Sequence, residues 1–276
     1  MNWVPLFFID DVCHQLPSSA LKPVRQLSGS WSTFGAEHGE KRRKLKFVCQ
    51  VNYREVSYSL REAHSHKVTV EDLNLEFDRI TVFYSAKSDD RRVSLREFER
   101  VVLPTIAPLV TNCSWLFLVP QRKDQNRILF QAFKNCPGFN NISVQEQGED
   151  SRHFLARQVQ HGNVQTLSLL GKWPEPDKLA ETLKIFVSST RFHALISRDF
   201  LRDDSELFEL FLERALANEL KRGARIRAPS IFETSPLAFH PECRHNEGTK
   251  DGWRIPDLNL RIALRYFDFT LEVEVE

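Results

Sequence analysis

Extended segments recur along this chain at intervals too long for hairpins and about right for a strand plus a helix. Strand starts fall near residues 80, 115, 142, 164, 192 and 224, about 22 to 35 residues apart. Helical patterns lie between them. Ser94 and Glu97 form a capping box ahead of Leu95, Phe98, Val101 and Val102, with Pro104 and Pro108 interrupting or ending the helix. Ile128, Leu129, Ala132 and Phe133 mark a second helix, and Arg152 to Val159 a third, stopped by Gly162. Pro176 to Val187 and Asp203 to Leu220 follow, with Gly223 after the last. This alternation predicts an α/β fold, read as an irregular solenoid like leucine-rich repeats, each strand lying beside the next. The repeat consensus shows only weakly, at Val164–Gln165–Thr166–Leu167–Ser168–Leu169. The competing arrangement is a doubly wound α/β domain, which usually opens on a Gly-rich turn; none is present.

Two segments flank the repeats. Phe47 to Val51 and Tyr53 to Tyr58 read as extended pieces ahead of them. Apolar residues alternate from Leu258 to Val275, predicting two strands or one bent ribbon that caps the solenoid. Residues 229–256 read as a long polar loop. Trp115 is expected in the core; Trp173, in a strand-to-helix loop, and Trp253, in the long loop, are each expected either exposed as an anchor or folded back as a lid over the core.

The first 46 residues have a different texture. Val4, Phe8, Ile9, Val12 and Leu16 recur at helical spacing, with Pro5 acceptable in a first turn. Ser18 or Ser19 can cap a second short helix with Leu21, Val24 and Leu27. A third segment opens at Trp31 and runs to about His38. Residues 1–46 carry a net charge of +3 and the remainder −2. The run Lys41–Arg42–Arg43–Lys44–Leu45–Lys46 reads as a solvated junction, or as a nuclear-import signal. The expected division is residues 1–46 and 47–276, two separable parts.

The order Val4–Pro5, Phe8 to Leu16, Leu21 to Leu27 and Ser28–Gly29–Ser30–Trp31 resembles an F-box, specifically the divergent F-boxes of the large nematode F-box families. Val4 stands where Leu is commoner, and Ala20–Leu21 where Asp–Leu is common. The later region is similar to the F-box-associated domains of those families. The resemblance implies a substrate-recognition subunit of a Skp–cullin–F-box ubiquitin ligase, without catalytic residues of its own. Val4, Pro5, Phe8, Val12, Leu16, Leu21 and Trp31 would then dock on a Skp-type adaptor and, through it, a cullin. A plain helical cap on the following domain remains the other reading of this segment. The alternative function is a ubiquitin-independent protein-binding solenoid with a vestigial F-box.

Motifs that carry catalytic chemistry are absent. There is no GxGxxG, GxSxG or HExxH, and Gly35–Ala36–Glu37–His38–Gly39–Glu40–Lys41 has Glu where a P-loop needs Lys. His240, Cys243 and His245 offer three zinc ligands without a second knuckle. His64 and His66 make a weaker pair still. Asp10–Asp11, Asp89–Asp90 and Asp203–Asp204 suit helix ends better than acid–base work. No catalytic residue, metal or cofactor is therefore expected. The five cysteines, at 13, 49, 113, 136 and 243, are irregularly spaced, predicting reduced thiols and a cytoplasmic or nuclear setting. A net charge of +1 gives no general pull on nucleic acid, and no apolar run approaches membrane-spanning length. The apolar start from Trp3 to Ile9 lacks a preceding basic residue and does not read as a secretory signal. Phe232, Phe239 and Trp253, aromatics in the long polar loop, are the expected anchors for an unidentified target protein.

Overall fold

The computed structural model describes residues 4–275 apart from 17, 63–65, 89, 111–112, 119–125, 137, 172, 174–175, 198–204, 230–243, 246–251, 256–259 and 266–269; for 176–178, 205 and 228–273 it describes backbone alone. The fold is mixed α/β. Two compact units form, Met1–Leu116 with Cys136–Phe139, and Phe117–Asn135 with Asn140–Glu276. The boundary expected after residue 46 thus falls inside the first unit.

The first unit begins with α1 (Leu6–Gln15), α2 (Ser18–Val24) and α3 (Ser30–Lys41). Its sheet is mixed. The antiparallel hairpin of β1 (Lys44–Val51) and β2 (Glu55–Glu62) pairs Val51 with Val56. On its far side β2 takes β3 (Lys67–Val68) and β5 (Arg91–Ser94). β1 lies parallel to β4 (Arg79–Ser85), whose other neighbour is β6 (Cys113–Leu118). Alternate residues of β1, Leu45, Phe47 and Cys49, are buried, as a strand with one covered face requires. Phe47 stacks on Phe83 at 5.0 Å and on Tyr58 at 5.7 Å between ring centroids.

The expected capping box forms: the Glu97 amide donates to Ser94 Oγ at 3.1 Å, opening α4 (Leu95–Glu97). A π-turn (Phe98–Val102) then carries the chain into α5 (Leu103–Ile106), where Pro104 sits in the first turn. Pro104 thus interrupts the helix without ending it, in a first-turn position where a missing N–H is tolerated. A 3₁₀ turn containing Pro108 ends the run.

The second unit follows the expected alternation closely. After α6 (Arg127–Phe133) come β7 (Phe139–Gln145), α7 (Glu149–Gln160), β8 (Thr166–Leu170), α8 (Pro176–Ser188), β9 (Ala194–Ser197), α9 (Ser205–Leu216) and β10 (Arg225–Pro229). The four strands are parallel and neighbour one another in chain order. Each helix packs on the next. Leu167, Leu195, Phe211 and Ile226 are fully buried, and Phe192 lies 5.2 Å from Phe186 and 6.0 Å from Phe211, ring to ring. Gln158 Nε2 donates to the Phe133 carbonyl at 2.9 Å, tying α7 to the end of α6.

Beyond β10 the sheet turns antiparallel. β14 (Thr270–Val275) pairs with β10, then β13 (Leu260–Arg265), β12 (Gly252–Ile255) and β11 (Arg244–His245) follow outward. The two strands expected in the tail are β13 and β14. The long loop expected at 229–256 is corrected: β11 and β12 lie within it, too short to show a period. Of the tryptophans, one takes the buried of its two expected placements and one changes place. Trp173 is buried, 4% exposed, with its indole N–H on the Leu170 carbonyl at 3.2 Å. Trp115, expected in the core, is 39% exposed.

Candidate functional site

Pro5 sets the start of α1, since its fixed φ of −58° suits the turn and its carbonyl accepts from the Phe8 and Ile9 amides at 3.0 and 3.2 Å. One side of α1 faces inward. Ile9 and Cys13 form a small cluster with Leu21, and Val4, Leu16, Val24, Trp31 and Phe34 pack against it partly buried. The expected apolar stripe therefore divides. Leu21 is only 1% exposed, while Val4, Val12, Leu16 and Trp31 are half-buried; Pro5 and Phe8 face outward. The outward apolar surface also includes Leu6 and Phe7, which periodicity had not singled out: Leu6, Phe7 and Phe8 are 58%, 77% and 49% exposed. The signal for them was the unbroken apolar run, which exceeds what one face of a helix can bury. Leu27 lies beyond the end of α2 and is exposed.

The helices are joined to the strands of the same unit through buried polar groups. Arg42 donates to the carbonyls of Cys13, His14 and Leu16 at 2.8, 3.3 and 2.5 Å, satisfying the end of α1. Arg79 donates to the His14 carbonyl at 2.9 Å and to His14 Nδ1 at 2.7 Å. Burial, and then the Arg79 charge, hold the His14 pKa below its ordinary value. Burial also brings Arg79 down to about 10, so it stays charged at neutral pH. His38, fully buried, sets Nε2 against Asp10 Oδ1 at 2.7 Å, and its ring lies 5.2 Å from that of Phe77. Arg43 makes a two-pronged pair with buried Asp78, both contacts at 2.7 Å. The basic run is thus only partly the solvated junction expected. Lys41, Lys44 and Lys46 are exposed, but Arg42 and Arg43 are half-buried and bonded.

The sheet of the second unit has two distinct faces, because cross-strand partners lie on the same side. One row runs Ile142, Leu167, Leu195, Ile226, Val273, Ile262, Trp253 and His245. Its first four members are fully buried. The adjacent row runs Asn141, Thr166, Ala194, Arg225, Glu274, Arg261, Arg254 and Arg244. Trp253, expected as a loop anchor, therefore belongs to a strand and to the apolar row. Phe232 and Phe239 lie outside the described residues, as does most of 240–245.

Burial pushes the Cys49 thiol up and the Cys113 thiol to about 12, so both remain protonated and weakly nucleophilic at neutral pH. Among the described residues no three His, Cys, Asp or Glu side chains gather as a metal ion would need, and no helix is long and apolar enough to cross a membrane. Compared with protein-family models, curated proteins and solved structures, the chain matches none.

Proposed function

We propose that this chain is the substrate-recognition subunit of a Skp–cullin–F-box ubiquitin ligase. In this reading α1–α3 form an F-box-like unit, and the α/β repeats form an irregular leucine-rich-repeat-like solenoid capped by β11–β14. The chain supplies proximity between adaptor and target rather than catalysis. The observation that carries the reading is the outward Leu6, Phe7 and Phe8 on a helix whose other side already has a packed cluster. Contiguous exposed apolar side chains mark interaction surfaces. In-order parallel strands, with each helix packed on the next, support the solenoid half of the reading.

Co-expression with a Skp-type adaptor tests the proposal. The expected result is equimolar co-purification, lost in the Phe7→Glu/Phe8→Glu variant without loss of folding. Leu16 is unsuitable as a probe because it packs against the inner cluster. Failure of the wild-type chain to capture the adaptor would overturn the ligase reading and leave a ubiquitin-independent binding protein.

A further inference from the structure

In β10 to β14 every Arg and Glu lies on one face of the sheet. These strands hold six arginines, Arg225, Arg227, Arg244, Arg254, Arg261 and Arg265, and no lysine. Register sets Arg225, Glu274, Arg261, Arg254 and Arg244 side by side across the five strands. Arg227 lies beside Glu272 in the row two residues along, and Arg265 is in register with Thr270. The opposite face holds Ile226, Val273 and Ile262 in one row, and Ala228, Leu271 and Leu264 in another. Ile226 is fully buried, whereas Arg225, Arg227 and Glu274 are half-exposed. A chain of net charge +1 thus gathers six positive charges against two negative ones on a single sheet face.

We infer that this face binds an acidic segment of another polypeptide. Arginine presents a planar fork of donors that matches a carboxylate or a phosphate in two-pronged geometry, and the absence of lysine points to that geometry rather than to bulk charge. Adjacent strands lie about 4.8 Å apart and alternate residues along a strand about 6.8 Å apart, so the face is a grid on which an extended peptide can set successive acidic side chains. Glu272 and Glu274 between the arginines favour a chain of mixed charge over a continuous polyanion. The register places no aromatic residue on this face in β10–β14, and unpaired bases need aromatic platforms. The face itself stands on strand register and burial; that its occupant is the target rests on the proposed function, to which it adds the target's chemistry.

Fluorescence anisotropy on the full chain tests it with three probes: a Glu/Asp-rich peptide, the same peptide with phosphoserines, and a neutral scrambled peptide. The acidic peptide should bind and weaken with salt, and the neutral one should not bind. Tighter binding of the phosphoserine peptide would identify phosphate as the preferred group; equal binding would identify carboxylate as sufficient. The Arg254→Glu/Arg261→Glu variant should lose at least tenfold in affinity, and Lys44→Glu/Lys134→Glu, with the same charge change on other surfaces, should not. Arg254→Lys/Arg261→Lys keeps the charge and the fold but removes the forks, and should weaken binding severalfold. Equal binding of acidic and neutral peptides would overturn the inference. So would equal losses in the two Glu variants, undiminished binding by the Lys variant, or tighter binding of single-stranded RNA through the same arginines. Adaptor capture by Arg254→Glu/Arg261→Glu should match wild type, so failure of the adaptor proposal and failure of this one give different results.

Discussion

Arg42 turns a stretch of charge into an anchor. Its guanidinium ends α1 by taking three carbonyls that the helix cannot satisfy itself. Arg42→Ala should therefore lower unfolding free energy by about 1–3 kcal/mol, the range for leaving a buried acceptor without its donor. A urea titration of the two proteins measures it. His14 adds a pH dependence. It is faced by Arg79, Arg42, His38 and the Glu76 carbonyl, and its folded pKa lies below the unfolded value. The unfolded chain thus takes up the proton more readily. The stability that His14 contributes is complete above about pH 6.5 and falls as pH drops through the window below it. Urea midpoints at pH 7.5 and 5.5 should differ more in wild type than in His14→Gln, which still offers Arg79 an acceptor. Neither role was legible beforehand. A basic run shows its charge in the sequence, but which of its members finds a buried carbonyl or carboxylate depends on segments about 30 residues away.

α2 and α3 approach each other closely at Gly35. A Cβ there would stand 2.9 Å from Val24 Cγ1 and within 3.3 Å of the backbone at Val24 and Arg25. Gly35→Ala should cost about 1–3 kcal/mol, because backbone cannot step aside. At Gly39 a Cβ would meet first the guanidinium of exposed Arg25, which can turn away at the cost of its bond to the Gly35 carbonyl, so Gly39→Ala should cost less than Gly35→Ala. Thermal melts of the pair separate the two cases. The elements themselves were largely readable. β4, β8, α7 and α9 announced themselves through apolar period, capping residues and glycine stops. β11 and β12 did not, since two and four residues cannot display a period. Trp115 was misplaced because alternation shows that neighbours face opposite ways without showing which way is covered, and Trp173 was left undecided because a loop residue has no period to show whether it folds back. The arginine face follows the same rule. Leu260–Arg265 and Thr270–Val275 each show their charges at alternate positions, yet only strand register brings five strands' charges onto one side.

The first unit holds helices and strands together, which bears on how the molecule can be cut. Removing residues 1–40 would take the His14 contact from Arg79, the α1 carbonyls from Arg42 and the His38 ring from Phe77. The truncated chain should melt roughly 10 °C or more below the full one, and calorimetry of both measures the difference. An unchanged midpoint would make the helices dispensable to the strands. The second unit has a different internal economy. From β7 to β10 each new strand lies beside the one before it, so pairing needs only short-range chain closure. β10 and β14 are another matter: Pro229 pairs with Thr270 across about 40 residues of chain, and such distant closure is slow. During refolding, helix content should return first. Affinity for an acidic peptide should return later, after the distant strand has docked. For an interval the protein would therefore be folded by spectroscopy and still unable to bind, so the timing of that one strand pairing would govern when the molecule becomes active.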